Sequence, residues 1–112
     1  MRTPTDCAQE QLDAYNNRDI DRFAAVYHPD IVLYDLKSGE PFCVGRDALR
    51  ERYGAMFASR TSLHCELVHR MVCGNIAIDE EHVRGLKDDG IVHAIAIYET
   101  SDGLITRAWF VR

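Results

Sequence analysis

Residues 63–112 read LHCELVHRMVCGNIAIDEEHVRGLKDDGIVHAIAIYETSDGLITRAWFVR. β-Branched, aliphatic and aromatic residues dominate runs at about Leu63–Cys73, Ile76–Leu86, Ile91–Thr100 and Leu104–Arg112. Gly74-Asn75 and Asp102-Gly103 are the residue types that two-residue hairpin turns demand. Lys87-Asp88-Asp89-Gly90 forms a polar loop between the middle runs. This half of the chain is therefore expected to be consecutive antiparallel strands. If Gly74-Asn75 is the turn, Cys73 pairs with Ile76, Arg70 lies opposite Asp79, and Val68 lies opposite Glu81. That face also carries Glu66, Val72, Ala77 and Val83; Leu67, His69, Met71, Ile78, Glu80 and His82 take the reverse. Neither face is wholly apolar, so this hairpin is not oriented by its sequence. In the last hairpin, Ile97 is expected opposite Ala108, Ile95 opposite Phe110 and His93 opposite Arg112. The reverse face then pairs Ala96 with Trp109 and Tyr98 with Arg107. One of these apolar faces would cover the core. The outer one is expected to meet a second copy in a homodimer, since an exposed face of this kind marks an interface.

Upstream, the signals are helical. Thr3 can cap a first helix, with Pro4 at its first position and Asp6 completing a capping box. Its apolar stripe is Cys7 or Ala8, Leu12 and Tyr15, and Asn16-Asn17-Arg18 ends it. Asp19 caps a second helix, with Ile20, Phe23, Val26 and Tyr27 on one face. His28-Pro29 stops that helix, because the residue before proline disfavours helical geometry. Ile31–Leu36 reads as a strand, with Ile31, Leu33 and Asp35 on one face. A turn at Lys37–Pro41 and a short extended piece at Phe42–Val44 follow. Gly45 opens a third helix with the stripe Leu49, Tyr53, Met56 and Phe57. Helices followed by a run of strands imply an α+β fold with the helices on one side of a curved sheet.

A chain of 112 residues has room for one domain, 1–112. With 46% hydrophobic and 28% charged residues it has globular composition, which excludes disorder, collagen and coiled coil for the whole chain. The formal charge of −5 counts against nucleic-acid binding. The N-terminal residues carry no apolar run of the signal-peptide kind, and no stretch reaches the length of a membrane span, so a cytoplasmic location is expected. Cys7, Cys43, Cys65 and Cys73 form no CxxC pair and are expected as free thiols. No HxH or HExxH spacing points to a metal. Glycine-rich phosphate loops are absent, so no cofactor is implied.

The segments Tyr27-His28-Pro29-Asp30-Ile31-Val32-Leu33-Tyr34-Asp35, Val44-Gly45-Arg46-Asp47-Ala48-Leu49 and Asp102-Gly103-Leu104-Ile105, in this element order, resemble the nuclear transport factor 2-like superfamily. The likeness is greatest to its SnoaL-like and steroid delta-isomerase-like branch, and it covers nearly the whole chain. The resemblance implies a cone-shaped α+β fold, three N-terminal helices packed on a curved, mostly antiparallel sheet. It also implies a pocket for a small hydrophobic molecule. It places Asp35 where the ketosteroid isomerase base sits, turns Asp79, Glu81 and hence Arg70 toward the pocket, and turns His93, Ile95, Ala108 and Phe110 inward. The isomerase's oxyanion-hole tyrosine corresponds to Gln11 and its aspartic acid to Ile95, or to Ala94 if the final turn shifts by one, which departs from that enzyme's pattern. The acid that SnoaL-type cyclases place on the strand Ile91–Thr100 has only Glu99 as a counterpart.

The expected catalytic set is therefore Asp35, Asp79, Glu81, Arg70 and His93. Asp35 would be a base with its pKa raised by desolvation, or else a cap on the following turn. Arg70, Asp79 and Glu81 would be a buried acid–base cluster, or else a cross-strand ion pair on a wet face. His93 would shuttle protons. Tyr15, Tyr53, Phe57, Ile95, Phe110 and Trp109 would line the substrate site. The reading is a cofactor-independent acid–base enzyme of the isomerase, cyclase, dehydratase or epoxide hydrolase kind. The alternative is a non-catalytic ligand-binding or structural dimeric module.

Overall fold

Thr3 opens α1 (Pro4–Asn16) through a reciprocal capping box: its hydroxyl accepts from the Asp6 N–H at 3.1 Å, and the Asp6 carboxylate accepts from the Thr3 N–H at 2.9 Å. Asp19 caps α2 (Ile20–Ala24) by accepting from the Arg22 N–H. The chain then runs through β1 (Tyr27–Asp35), β2 (Pro41–Val44), α3 (Arg46–Ser59), β3 (His64–Cys73), β4 (Ile76–Arg84), β5 (Ile91–Ser101) and β6 (Leu104–Val111). This is a computed structural model, and it describes residues 1–87 and 90–112. Asp88 and Asp89 of the expected loop lie outside the described residues.

The strands form one sheet in the order β2-β1-β6-β5-β4-β3. All neighbours are antiparallel except β1 with β6. That parallel pair ends α2 earlier than the sequence suggests. Ile105 donates its N–H to the Val26 carbonyl at 2.9 Å and Tyr27 pairs with Ile105, so Val26 and Tyr27 join the sheet instead of a helical stripe. The α1 helix lies against β3, β4 and β5, and α3 against β1 and β2. Between helices and sheet is a core that includes Leu12, Phe23, Tyr27, Ile31, Leu33, Leu49, Ala96 and Ala108. The α+β architecture is the expected one, with three helices on a curved, open, mostly antiparallel sheet.

Both two-residue turns form, pairing Cys73 with Ile76 and Ser101 with Leu104. Asp102 and Gly103 both have positive φ, as a type I′ turn needs. Two bulges then alter which side chains face inward. Val68 is the extra residue in β3, so Leu67, not Val68, opposes Glu81, and Glu66 turns outward toward His82. Thr106 is the extra residue in β6, so Ala108 opposes Tyr98, Phe110 opposes Ala96 and Trp109 opposes Ile97. A bulge adds one residue to one strand and reverses the faces beyond it. Val92, Ala94, Ala96 and Tyr98 therefore face the core, while His93, Ile95 and Ile97 face out, the reverse of the expected β5 orientation.

The β4–β5 connection is seated by Gly85. Its φ is +77°, and a Cβ there would lie 2.5 Å from the Ser62 carbonyl carbon and oxygen. Gly39 has a similar φ of +74° with open space around it. Gly39→Ala should cost about 1 kcal/mol by urea unfolding, and Gly85→Ala clearly more, about 3 kcal/mol, because backbone must move. Equal losses would refute the close approach at Ser62.

Candidate functional site

Asp79 and Glu81 are two apart on β4 and so share its inward face. Arg70 sits opposite Asp79 in β3 and forms a bidentate pair with it, Nε to Oδ1 at 2.6 Å and Nη2 to Oδ2 at 2.9 Å. Its remaining nitrogen donates to the Gln9 Oε1 of α1 at 2.9 Å. Asp79 is fully buried and Arg70 nearly so, with side-chain exposures of 0% and 12%. The cluster is thus a buried ion pair, not a wet one. The carboxylate raises the Arg70 pKa further, chiefly by this hydrogen bonding.

Glu81 has no such partner. It enters no ion pair among the described residues. Its carboxyl faces a small, partly open cavity of about 40 Å³ between the helices and the sheet. The wall includes Gln11, Tyr15, Tyr27, Tyr53, Cys65, Tyr98, Phe110 and Arg112. The Asn16 side chain fixes the wall at Cys65 by bonding that residue's N–H at 2.7 Å and its carbonyl at 2.9 Å. Burial pushes the Glu81 pKa up to about 7, and the negative charge of Asp79 adds to the rise. The Cys65 thiol, Arg70 and Arg112 oppose it. Burial also raises the phenols of Tyr15, Tyr27 and Tyr98, and pushes that of Tyr53 up to about 12. Near neutral pH the cavity therefore holds one carboxyl poised between its two forms and several neutral O–H donors.

The other expected site residues lie elsewhere. Asp35 is exposed at the end of β1, where its carboxylate accepts from the Ser38 N–H at 2.9 Å. That bond holds its pKa below the usual value, so the expected rise by desolvation is corrected, and the turn-capping alternative describes its geometry. The alternation that puts Asp35 beside Ile31 and Leu33 holds, but no element covers the strand's end. His93 is displaced by the β5–β6 register. It lies on the outer face at 60% side-chain exposure, 2.7 Å from Glu80 and edge-on to His82. The same register places Ile95 and Trp109 outside, with Trp109 stacked on Tyr34 at 5.5 Å. Tyr15, Tyr53 and Phe110 do line the cavity. Phe57 packs behind it against Tyr15, Phe23 and Tyr53. Tyr27, expected as core or pocket wall, lines the cavity as well. Sequence reasoning did not single out Cys65, Tyr98 or Arg112 as site residues; Tyr98 had a usable signal in its alternation with Ala94 and Ala96, and Arg112 in its alternation with Ala108 and Phe110.

The four cysteines are free thiols. No helix among the described residues is long and apolar enough to cross a membrane.

The SnoaL-like domain family model matches residues 8–108. An uncharacterised cystatin-fold protein from Novosphingobium aromaticivorans is similar over 100% of both chains, with 23% identity and a TM-score of 0.87. A putative polyketide cyclase from Sinorhizobium meliloti is similar over 95% of this chain and 94% of its own, with 23% identity and a TM-score of 0.81. A putative ketosteroid isomerase from Kribbella flavida gives 93%, 73%, 18% and 0.76 in the same terms. No curated protein matches the chain. At these identities the structural likeness carries the fold alone.

Two outcomes follow from the electrostatics. Arg70→Ala should destabilise by about 3–5 kcal/mol in chemical denaturation, because it strands a buried carboxylate; Arg70→Met with Asp79→Leu should recover most of that loss. A loss under 1 kcal/mol would mean an exposed pair. For Glu81, the folded pKa of about 7 lies above the 4.5 of an ordinary glutamate. The folded state therefore holds a proton that the unfolded state releases between these values. The resulting stabilisation is full below about pH 4.5 and is lost as pH rises through 7. Relative to wild type, Glu81→Gln should gain stability between pH 5 and pH 8, by on the order of 3 kcal/mol. Parallel stability profiles for the two proteins would contradict the raised value.

Proposed function

The chain belongs to the SnoaL-like domain family, and we propose that it is a cofactor-independent acid–base enzyme of isomerase or cyclase type, with Glu81 as its proton-transfer group and a small hydrophobic carbonyl compound as its substrate. The observation that carries this reading is one carboxyl, poised at about 7, opening on a cavity ringed by neutral tyrosines. A general base works best when its pKa lies near the working pH, because it is then ionised often enough to accept a proton and acidic enough to return it. In the ionised form, Glu81 takes a proton from the carbon next to the carbonyl. The electron pair moves onto the carbonyl oxygen, and a phenol O–H from Tyr53 or Tyr98 bonds the developing enolate. Protonated Glu81 then returns the proton to another carbon, which gives an isomer; alternatively the enolate carbon attacks a second carbonyl, whose π electrons move to its oxygen as the ring closes, and Glu81 returns the proton to that alkoxide.

Arg70 and Asp79 are positioning residues in this scheme. Neither lines the cavity, but both set the field at Glu81, Asp79 raising its pKa and Arg70 lowering it. The size of the cavity limits the substrate. About 40 Å³ holds little more than one water-sized group. Drug-sized ligands occupy about 300–1,000 Å³. The cavity takes the reacting end of a molecule and no steroid body. The remainder of the substrate lies toward the mouth at Leu86, Phe110 and Arg112, residues shared with two open depressions beside the cavity.

Exchange of α-protons of small cyclic ketones with deuterated solvent, followed by proton NMR, tests the assignment. Wild type should catalyse exchange with a pH–rate inflection near 7. Glu81→Gln should lose about 10²–10⁴-fold of that rate, while His93→Gln, on the outer face, should keep it. Full activity in Glu81→Gln, or loss in His93→Gln, would overturn the reading.

A further inference from the structure

The mouth of the cavity is basic in an acidic chain. One depression beside it is lined by Asp35, Lys37, Phe42, Arg52, Phe110, Val111 and Arg112. The other is lined by Arg52, Met56, Arg60, Leu86, Lys87, Val92 and Arg112. Arg52 and Arg112 belong to both, and Arg112 also reaches the cavity wall. Lys37, Arg52, Arg60, Lys87 and Arg112 are thus 5 of the chain's 13 basic side chains, gathered at one opening of a chain of net charge −5. None of them forms an ion pair among the described residues. Among the described residues the one acid on the two linings is Asp35, which is already bonded to the Ser38 N–H. Arg52 is held in place by the Phe42 ring, 4.8 Å from its guanidinium carbon, and Phe42 in turn packs edge-on against Phe110 at the cavity. The charges are felt inside: Arg112 and Arg52 both lower the Tyr53 pKa, and Arg112 lowers that of Glu81.

Unpaired like charges converging on one opening repel one another, and an anion relieves that repulsion. Guanidinium groups offer forked donors that match a carboxylate or phosphate. We propose that the substrate carries an oxyanion group, carboxylate or phosphate, that docks between Arg52 and Arg112 at the mouth while its apolar part reaches toward Glu81. This deepens the acid–base reading and rests on it for the identity of the reacting end. It also accounts for a cavity too small to hold a whole ligand, since the charged part stays in the open depressions.

The test is a binding measurement independent of turnover. Benzoate and phenyl phosphate are the anionic probes and benzyl alcohol is the neutral one, titrated by NMR at low and high salt. At least one anion should bind more tightly than benzyl alcohol, and its affinity should fall with salt. Arg52→Gln and Arg112→Gln should each weaken it by about tenfold, the size of one charge-assisted hydrogen bond. Arg52→Lys should recover part of the loss, and Arg46→Gln, at the start of α3, should bind as wild type. The stronger anion identifies the group. Equal binding of the neutral probe, no saturable binding of either anion, or binding indifferent to Arg52 and Arg112 would overturn the proposal. Glu81→Gln separates the two readings. It should bind the anion at least as tightly as wild type, and it should lose the weakening that wild type shows as pH rises through 7. Arginine-dependent binding without that pH difference would leave the anion site standing and remove Glu81 as the group titrating near 7.

Discussion

Two carboxylates on one face of β4 share a single guanidinium, and its fork is filled by Asp79. Glu81 must then be buried without a cation of its own. A buried carboxylate with no partner lowers its cost by taking up a proton. The negative Asp79 nearby reinforces this, and the two arginines that act on Glu81 only moderate it. The rest of the site follows from that arrangement. The Arg70–Asp79 pair locks β3 to β4, and Gln9 ties the pair to α1. The helix thereby closes over Glu81 and brings Gln11 and Tyr15 to the same cavity. A structural ion pair and a titratable group are two consequences of one spacing.

The sequence was informative wherever a local signal has a local cause. Capping at Thr3 and Asp19, the glycine that opens α3 and the two hairpin turns all depend on a few adjacent residues, and all form as read. The Arg70–Asp79 pairing follows from counting back along a regular ladder from the Gly74-Asn75 turn. Counting failed at Val68 and at Thr106. Each bulge is one residue in a run of β-formers and has no composition of its own, yet it reverses every side chain beyond it. The second bulge moved His93 and Ile95 to the outer face and brought Tyr98 inside. The exposure of Asp35, which caps the turn as its alternative reading had it, has another cause. Alternation gives the face of a strand and not the length of its cover, and β1 outruns its cover at Asp35.

The charge distribution completes the reading. Among the described residues, five basic side chains and one acid line the two depressions that share Arg112 with the cavity. Near-neutral Glu81, neutral phenols and cations at the rim form a gradient from an apolar interior to a positive entrance. Such a gradient orients a molecule with one charged end and one reactive end before any chemistry occurs. The fold is common to its structural relatives, and this chain's own residues determine what its cavity can do.

The central claim concerns a single proton, and it is tested most directly at the atom that holds it. The carboxyl carbon of Glu81 can be followed by carbon-13 NMR from pH 3 to 9, with its resonance assigned by its disappearance in Glu81→Gln. The account predicts a midpoint near 7, clearly above the 4.5 of an ordinary glutamate. A midpoint at that ordinary value would mean that Glu81 is solvated or paired in solution, and the acid–base site described here would not exist.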